Sequence, residues 1–167
     1  NWNLLWANNY GGNSTDYFYD LVVDDDNNYY VVGSTFSSNI TDLANDNVFN
    51  DAAVILKYDE NGNLLWERFW GGSGSDSFNS IIMDKDGGVI VVGETSSSEI
   101  EDSLLSSSYY IGVIIKYDKD GNVVWQKKYV GDKAIQFNYI TKSNDGGFLV
   151  TGLSAATNFE DLENKEY

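Results

Sequence analysis

Trp6, Trp66 and Trp125 stand 60 and 59 residues apart, and the sequence around each of them is nearly the same. The glycine that ends the most apolar run keeps the same period, as Gly33, Gly93 and Gly152. Between them Lys57-Tyr58-Asp59 returns as Lys116-Tyr117-Asp118. A fixed period of this size marks stacked supersecondary units, none of which can bury its apolar face alone. The chain therefore reads as one repeat array over residues 1–167.

Each unit predicts four short strands. In the second unit, strand A is Ser77 to Met83 and strand B is Val89 to Val92. Strand C is Gly112 to Tyr117, and strand D is Val123 to Tyr129. Strand B is apolar on consecutive residues, as expected of a strand covered on both faces. Asp86-Gly87 and Asp145-Gly146 occupy the A–B turns, and Asn61-Gly62 and Asp120-Gly121 the C–D turns. Such pairs supply the positive φ that short antiparallel hairpins need. The first unit has Asp24-Asp25-Asp26-Asn27-Asn28 instead, where Asn or Asp must take the left-handed conformation. The B–C connections, 34–50 and 96–108, are polar and too long for tight turns. Loops of that length are where function tends to sit.

The inventory is a lone strand D in residues 1–10, complete units at 16–70 and 76–130, and an unfinished unit at 135–167. Four-stranded antiparallel units of this length are expected to be β-propeller blades, about 2.75 of them here. A propeller needs roughly four to eight blades to close. The expectation is thus a piece of a longer chain, or copies that assemble through open strand edges. The alternatives are a β-prism and a β-trefoil, each of which closes with three whole units.

The charge balance restricts partners. Ten basic residues face 26 acidic ones, with no His, for a net charge of −16. That field repels phosphate backbones, so neither nucleic acid nor membrane insertion is expected. No run of about 18 apolar residues suggests a helical membrane span. Cys is absent and so is His. Disulfides, thiolate zinc sites and Ser-His or Cys-His nucleophiles are therefore excluded within this chain. Paired carboxylates remain conceivable for glycoside hydrolysis. Glu99, Glu101 and Asp102 nevertheless fall in a polar loop, with no apolar setting to raise a pKa. The chain opens inside a repeat without a signal peptide, so any targeting segment is expected to lie outside it.

The repeated motif is carried by Lys57-Tyr58-Asp59, Gly62-Asn63, Trp66, Gly71-Gly72, Asp76, Asp86-Gly87-Gly88 and Val91-Val92-Gly93. It resembles the extracellular β-propeller repeats (SBBP-type) of bacterial surface and secreted proteins. The third unit departs, with Val130-Gly131 for Gly-Gly and Ile135 where Asp16 and Asp76 stand. The resemblance implies export, a cell-surface or secreted setting, and no catalytic residues.

Function is accordingly expected to be non-catalytic, a structural or interaction scaffold. The alternatives are a carbohydrate- or calcium-dependent binding module, or the non-catalytic part of an enzyme whose site lies in other blades. No cofactor is expected. Asp84-Lys85-Asp86 and Asp118-Lys119-Asp120 resemble the opening of a calcium loop but lack its later ligands, and a hairpin turn explains both. Gly71-Gly72-Ser73-Gly74-Ser75 lacks the Lys and the helix of a phosphate loop, and suits a connection between units. The recurring tryptophans are expected to pack between units. Trp2, Trp70, Tyr109 and Tyr110 do not recur, which makes them the candidates for a ligand surface, with a protein or a glycan as partner.

Overall fold

The computed structural model describes residues 3–40, 51–98 and 109–161, and it is all-β. The first unit holds β1 (Asp16–Val23), β2 (Tyr29–Thr35), β3 (Ala52–Tyr58) and β4 (Leu64–Trp70). The second holds β5 (Asp76–Met83), β6 (Val89–Thr95), β7 (Ile111–Tyr117) and β8 (Val123–Gly131). Then come β9 (Ile135–Lys142), β10 (Phe148–Ser154) and the short β11 (Phe159–Asp161). The hairpin turns behave as their composition predicts. Gly62, Gly87, Gly121 and Gly146 all have φ between 81° and 88°, and Asn27 takes the same role at φ 61°. Each loop closes through its first residue. Asp59 N–H donates to the Asn63 carbonyl and Gly62 N–H to the Asp59 carbonyl, and Asp118 repeats the pattern with Asn122 and Gly121.

Every neighbouring pair of strands is antiparallel. The first sheet runs β1-β2-β3-β4, the second β11-β8-β7-β6-β5, and β9 pairs with β10. A bulge interrupts the first strand of each unit at the same place, between Phe18 and Asp20, between Phe78 and Ser80, and opposite Thr151-Gly152. The bulge explains the recurring glycine. A Cβ on Gly33 or Gly93 would lie 1.8 Å from the carbonyl oxygen of Tyr17 or Ser77, and one on Gly152 would lie 1.9 Å from that of Gln136. No side chain fits there.

The sheets stack face to face. Tyr30, Val32, Ala53 and Ile55 of the first sheet form one buried cluster with Phe78, Ile81, Val91, Val113 and Ile115 of the second. The opposite face of the second sheet, through Ile90, Val92 and Ile114, packs on Ile140 of β9 and on Phe137, Phe148 and Val150 beside it. Both faces of the central strands are therefore covered, and all seven residues of β3 are buried. The stack is not parallel-sided. The backbones of β1 and β5 press together, as do those of β5 and β9, whereas β4 and β8 are bridged by side chains. The sheets converge on their first strands.

Two features differ from the sequence expectation. Residues 3–10, expected as a strand D, form no strand. A strand needs a neighbouring backbone to pair with, and among the described residues none pairs with 3–10, although Trp6 and Asn8 make the same contacts to a following turn as Trp66 and Arg68 of β4. Conversely, β11 adds to the outer edge of β8, pairing Phe159 with Gly131 and Asp161 with Tyr129.

Candidate functional site

The recurring residues turn out to be the joints between units. Trp6 Nε1 donates to the Glu60 carbonyl at 3.1 Å, and Trp66 Nε1 donates to the Lys119 carbonyl at 3.1 Å. Two residues further on, Asn8 Nδ2 donates to the Gly62 carbonyl and Arg68 Nε to the Gly121 carbonyl. Each unit thus grips the C–D turn of the next with an indole and a polar side chain. Trp66 meets Tyr30 edge to face, with Arg68 over its own ring. Trp125 stacks on Phe148. The tryptophans pack between units, as expected.

A second joint lies where each unit begins. Asp16 accepts from Gly12 N–H, Ser37 Oγ and Thr35 Oγ1, and Asp76 accepts from Gly72 N–H and Ser97 Oγ. Gly11 and Gly71, at φ 149° and 138°, leave room for these carboxylates, since a Cβ on either would collide with the Asp oxygen. The third unit changes three members of the set together, Val130 for the first Gly, Ile135 for Asp and Ala156 for Ser, and keeps the second Gly as Gly131. Asp132 takes over there, accepting from Thr157 N–H and Oγ1, and those bonds hold its carboxyl down at about 2.

Apart from these joints, several aromatics that do not repeat lie together in one place. A cleft of about 220 Å³ opens between the first strands of the two complete units, lined by Tyr17, Tyr19, Phe36, Asp51, Glu94 and Tyr110. The rings of Tyr17 and Tyr19 lie 6.1 Å apart and only 8° from parallel, with Phe36 edge-on to Tyr17. Both tyrosines are about half exposed. The counterparts of Tyr17 are Ser77 and Gln136, those of Tyr19 are Asn79 and Asn138, and those of Phe36 are Ser96 and Ala155. A flat aromatic ladder is therefore built at this one junction.

Acceptors face the ladder. Burial pushes the carboxyls of Asp51 and Glu94 up, against the opposing hydrogen bonds from Ser75 to Asp51 and from Gln136 and Asn79 to Glu94. Asp51 sits at φ 75°, and its carbonyl accepts the Asp76 N–H at 3.1 Å. The arrangement offers ring faces for stacking and partly desolvated carboxylates for accepting hydrogen bonds.

Of the residues singled out from sequence, Tyr110 lines this cleft, and Tyr109 beside it is half exposed. Trp70 lies elsewhere. It packs in the core between the sheets, 5.9 Å from Phe78, and its Nε1 donates to Gln126 at 3.3 Å. Trp2 falls outside the described residues, as do Glu99, Glu101 and Asp102. Sequence reasoning missed Tyr17, Tyr19, Phe36, Asp51 and Glu94. The signal that finds the three aromatics is an aromatic at a position where the other units carry a small or polar residue.

Asp84, Asp86 and Asp118 of the Asp-rich turns have partners within the chain. Asp84 and Asp86 both accept from Lys116, and Asp118 accepts from the Asp120 and Asn122 N–H groups and from Asn122 Nδ2. Among the described residues, no group of three or more Asp or Glu is placed to hold a metal ion. The chain matches no family model and no curated protein.

Proposed function

We propose that the chain is a run of β-propeller blades serving as a non-catalytic structural and interaction scaffold of a bacterial surface or secreted protein. The observation that carries this is the convergence of successive sheets on their first strands, with the same tryptophan-to-turn grip repeated from unit to unit. Sheets arranged as a fan are what radial repetition around an axis requires. The motif's resemblance to exported bacterial repeats supplies the setting. Protease treatment of intact cells, read with an antibody to this chain, tests it. Cleavage from outside is expected, and protection until the cells are lysed overturns the surface assignment.

The cleft favours a second reading, a carbohydrate-binding module. Parallel, exposed tyrosine rings suit the flat face of a sugar, and Asp51 and Glu94 suit its hydroxyls. Titration with cello- and chito-oligosaccharides, followed by tyrosine fluorescence and NMR, tests it. Binding that is lost in the Tyr17→Ala/Tyr19→Ala variant is the expected result. No shift with either series removes this reading and leaves the scaffold. Repeating the titration with calcium and with a chelator decides whether binding is calcium-dependent.

A further inference from the structure

The cleft between the two complete units holds negative charge without a counter-charge. Asp51, Asp76 and Glu94 line it, and among the described residues no lysine or arginine does. The ion pairs of Lys57 with Asp24 and of Lys116 with Asp84 and Asp86 lie at the A–B turns, the opposite end of β1 and β5. The partners that the cleft carboxylates have are neutral donors: Ser75 for Asp51, Gln136 and Asn79 for Glu94, and Gly72 N–H and Ser97 Oγ for Asp76. Such bonds satisfy lone pairs and leave the charge in place. Burial raises all three carboxyls against those bonds, and the charge of Asp51 adds to the rise at Asp76. A ligand that brings a positive charge relieves this cost, and a neutral ligand does not.

The aromatic wall says what must carry that charge. Tyr17, Tyr19 and Phe36 are 47%, 52% and 42% exposed. The buried Ser34 Oγ lies 3.4 Å from Tyr19 Oη, and Phe36 meets Tyr17 edge-on, so the ladder is held before a ligand arrives. Ser77 and Asn79 add a hydroxyl and an amide beside it. Flat ring faces next to polar groups suit a pyranose, and the same electron-rich faces next to carboxylates suit an ammonium. The volume of about 220 Å³ is below the roughly 300–1,000 Å³ of sites that enclose a drug-sized ligand, which fits one sugar residue rather than a whole chain.

We propose that the cleft binds an amino sugar with a free ammonium group, a glucosamine-type residue, whose ring stacks on Tyr17 and Tyr19 while its ammonium donates to Asp51 and Glu94. The proposal rests on the carbohydrate-binding reading above and narrows it from sugars in general to cationic ones. Asp76, already engaged at its joint, adds its field rather than a contact. The net charge of −16 concentrates such a ligand near the chain, and the cleft selects it. The walls come from residues 17–110, at the junction of the two complete units.

Isothermal titration calorimetry with short glucosamine oligomers, their N-acetylated forms and cello-oligosaccharides of the same length varies the charge at nearly constant ring shape. The free amines are expected to bind about tenfold tighter than either neutral series, because hydrogen bonds strengthen when the donor is charged. High salt is expected to narrow that preference. Asp51→Asn with Glu94→Gln removes two charges and keeps the shapes, since Asn tolerates the φ of 75° at residue 51. This variant is expected to bind amine and neutral sugars alike. Tyr17→Ala/Tyr19→Ala keeps the net charge and is expected to lose every sugar. If it unfolds, Tyr17→Ser/Tyr19→Asn, the residues of the second unit at these positions, takes its place. Equal affinity for free and acetylated sugars overturns the ammonium assignment and leaves the carbohydrate reading standing. No binding by any sugar overturns both. Amine binding that survives in the tyrosine variant, or a preference unchanged in the Asn/Gln variant, assigns the attraction to overall charge and overturns the proposal. So does lysine amide binding as tightly as the amino sugars, since it carries the cation without the ring.

Discussion

The six-membered ring of Trp66 lies over Gly121, so close that a methyl group there would stand 3.1 Å from Cδ2. The same glycine has φ 81°, which the turn requires. One residue thus satisfies two demands, a left-handed backbone and a surface flat enough for the indole of the preceding unit. Trp6 and Gly62 repeat the relationship, with a Cβ on Gly62 only 2.8 Å from Cδ2 of Trp6.

Those two demands are separable by experiment. Gly87 has nearly the same φ, 83°, and nothing within 4 Å of a Cβ. Gly87→Ala therefore carries the backbone cost alone, about 1 kcal/mol. Gly121→Ala carries that cost and also displaces the indole, so a loss larger by about 1–2 kcal/mol is expected. Urea denaturation of both variants measures the difference. Equal losses would show that the indole contact contributes nothing to holding successive units together.

The joint at Asp76 predicts non-additivity. Asp76→Ile alone removes the acceptor of Gly72 N–H and Ser97 Oγ in a buried place, and is expected to cost about 2–4 kcal/mol. The third unit shows the compensated form, with Val130, Ile135 and Ala156 in place. Adding Ser97→Ala removes the hydroxyl left without its acceptor, and is therefore expected to recover part of the loss rather than add to it. Gly71 stays glycine in both variants, because its φ of 138° is one that Val does not adopt. The two single variants and the double variant in urea test this, and additive losses would mean that the two positions are independent.

The repeat and its turns were legible because each recurring residue answers a local demand. Gly33, Gly93 and Gly152 face a bulge carbonyl, and Gly62 and Gly121 combine a turn with an indole. Residues 3–10 carry the side-chain pattern of a strand, yet pattern alone does not supply a pairing partner. The cleft was harder to read. Its tyrosine ladder depends on the bulge between Phe18 and Asp20, which makes Tyr19 the extra residue of its strand, and a shift of that kind is invisible in periodicity. Trp70 fails to recur as Trp, yet its position is aromatic in the other units as Tyr10 and Tyr129, and it packs against Phe78 and reaches Gln126 of the neighbouring sheet. Absence from the repeat was a useful filter, and not a sufficient one.

Lys116 reaches from β7 to Asp84 and Asp86 in the A–B turn, much as Lys57 reaches Asp24. The hydrogen bonds to Lys116 hold both carboxyls below their usual range, and the two carboxylates hold the ammonium above its own. The lysine's contribution is complete below its ordinary value of 10.5 and is lost as pH rises through the raised one. The aspartates' contribution is complete above 3.8 and is lost as pH falls through the lowered values. Lys116→Met is therefore expected to cost about 1 kcal/mol across that plateau, with the difference from wild type shrinking at both extremes. Melting temperatures from pH 2 to about 11.5 follow it. A difference independent of pH would assign the loss to packing of the lysine stem.

Glu94 carries the opposite sign. Burial raises its carboxyl above the ordinary 4.5, even though Gln136 and Asn79 donate to it. Between 4.5 and the raised value the folded chain binds more protons than the unfolded one, so stability falls as pH rises through that window. Above it, the cost of keeping a charge in the cleft persists unchanged. Glu94→Gln keeps an acceptor for Asn79 Nδ2, now 3.4 Å away, and removes the charge. The variant is expected to melt higher than wild type at pH 7, and the gain to shrink away as pH falls below 4.5, where the wild-type carboxyl becomes protonated in both states. Asp51 and Asp76, also raised by burial, give wild type and variant the same background slope, so the difference between the two curves isolates Glu94. A variant that is no more stable at pH 7 would show that its hydrogen bonds, rather than its burial, dominate the energetics of this carboxylate. In that case Glu94 would be a fixed part of the joint to β9, and Asp51 would remain as the cleft's accessible acceptor.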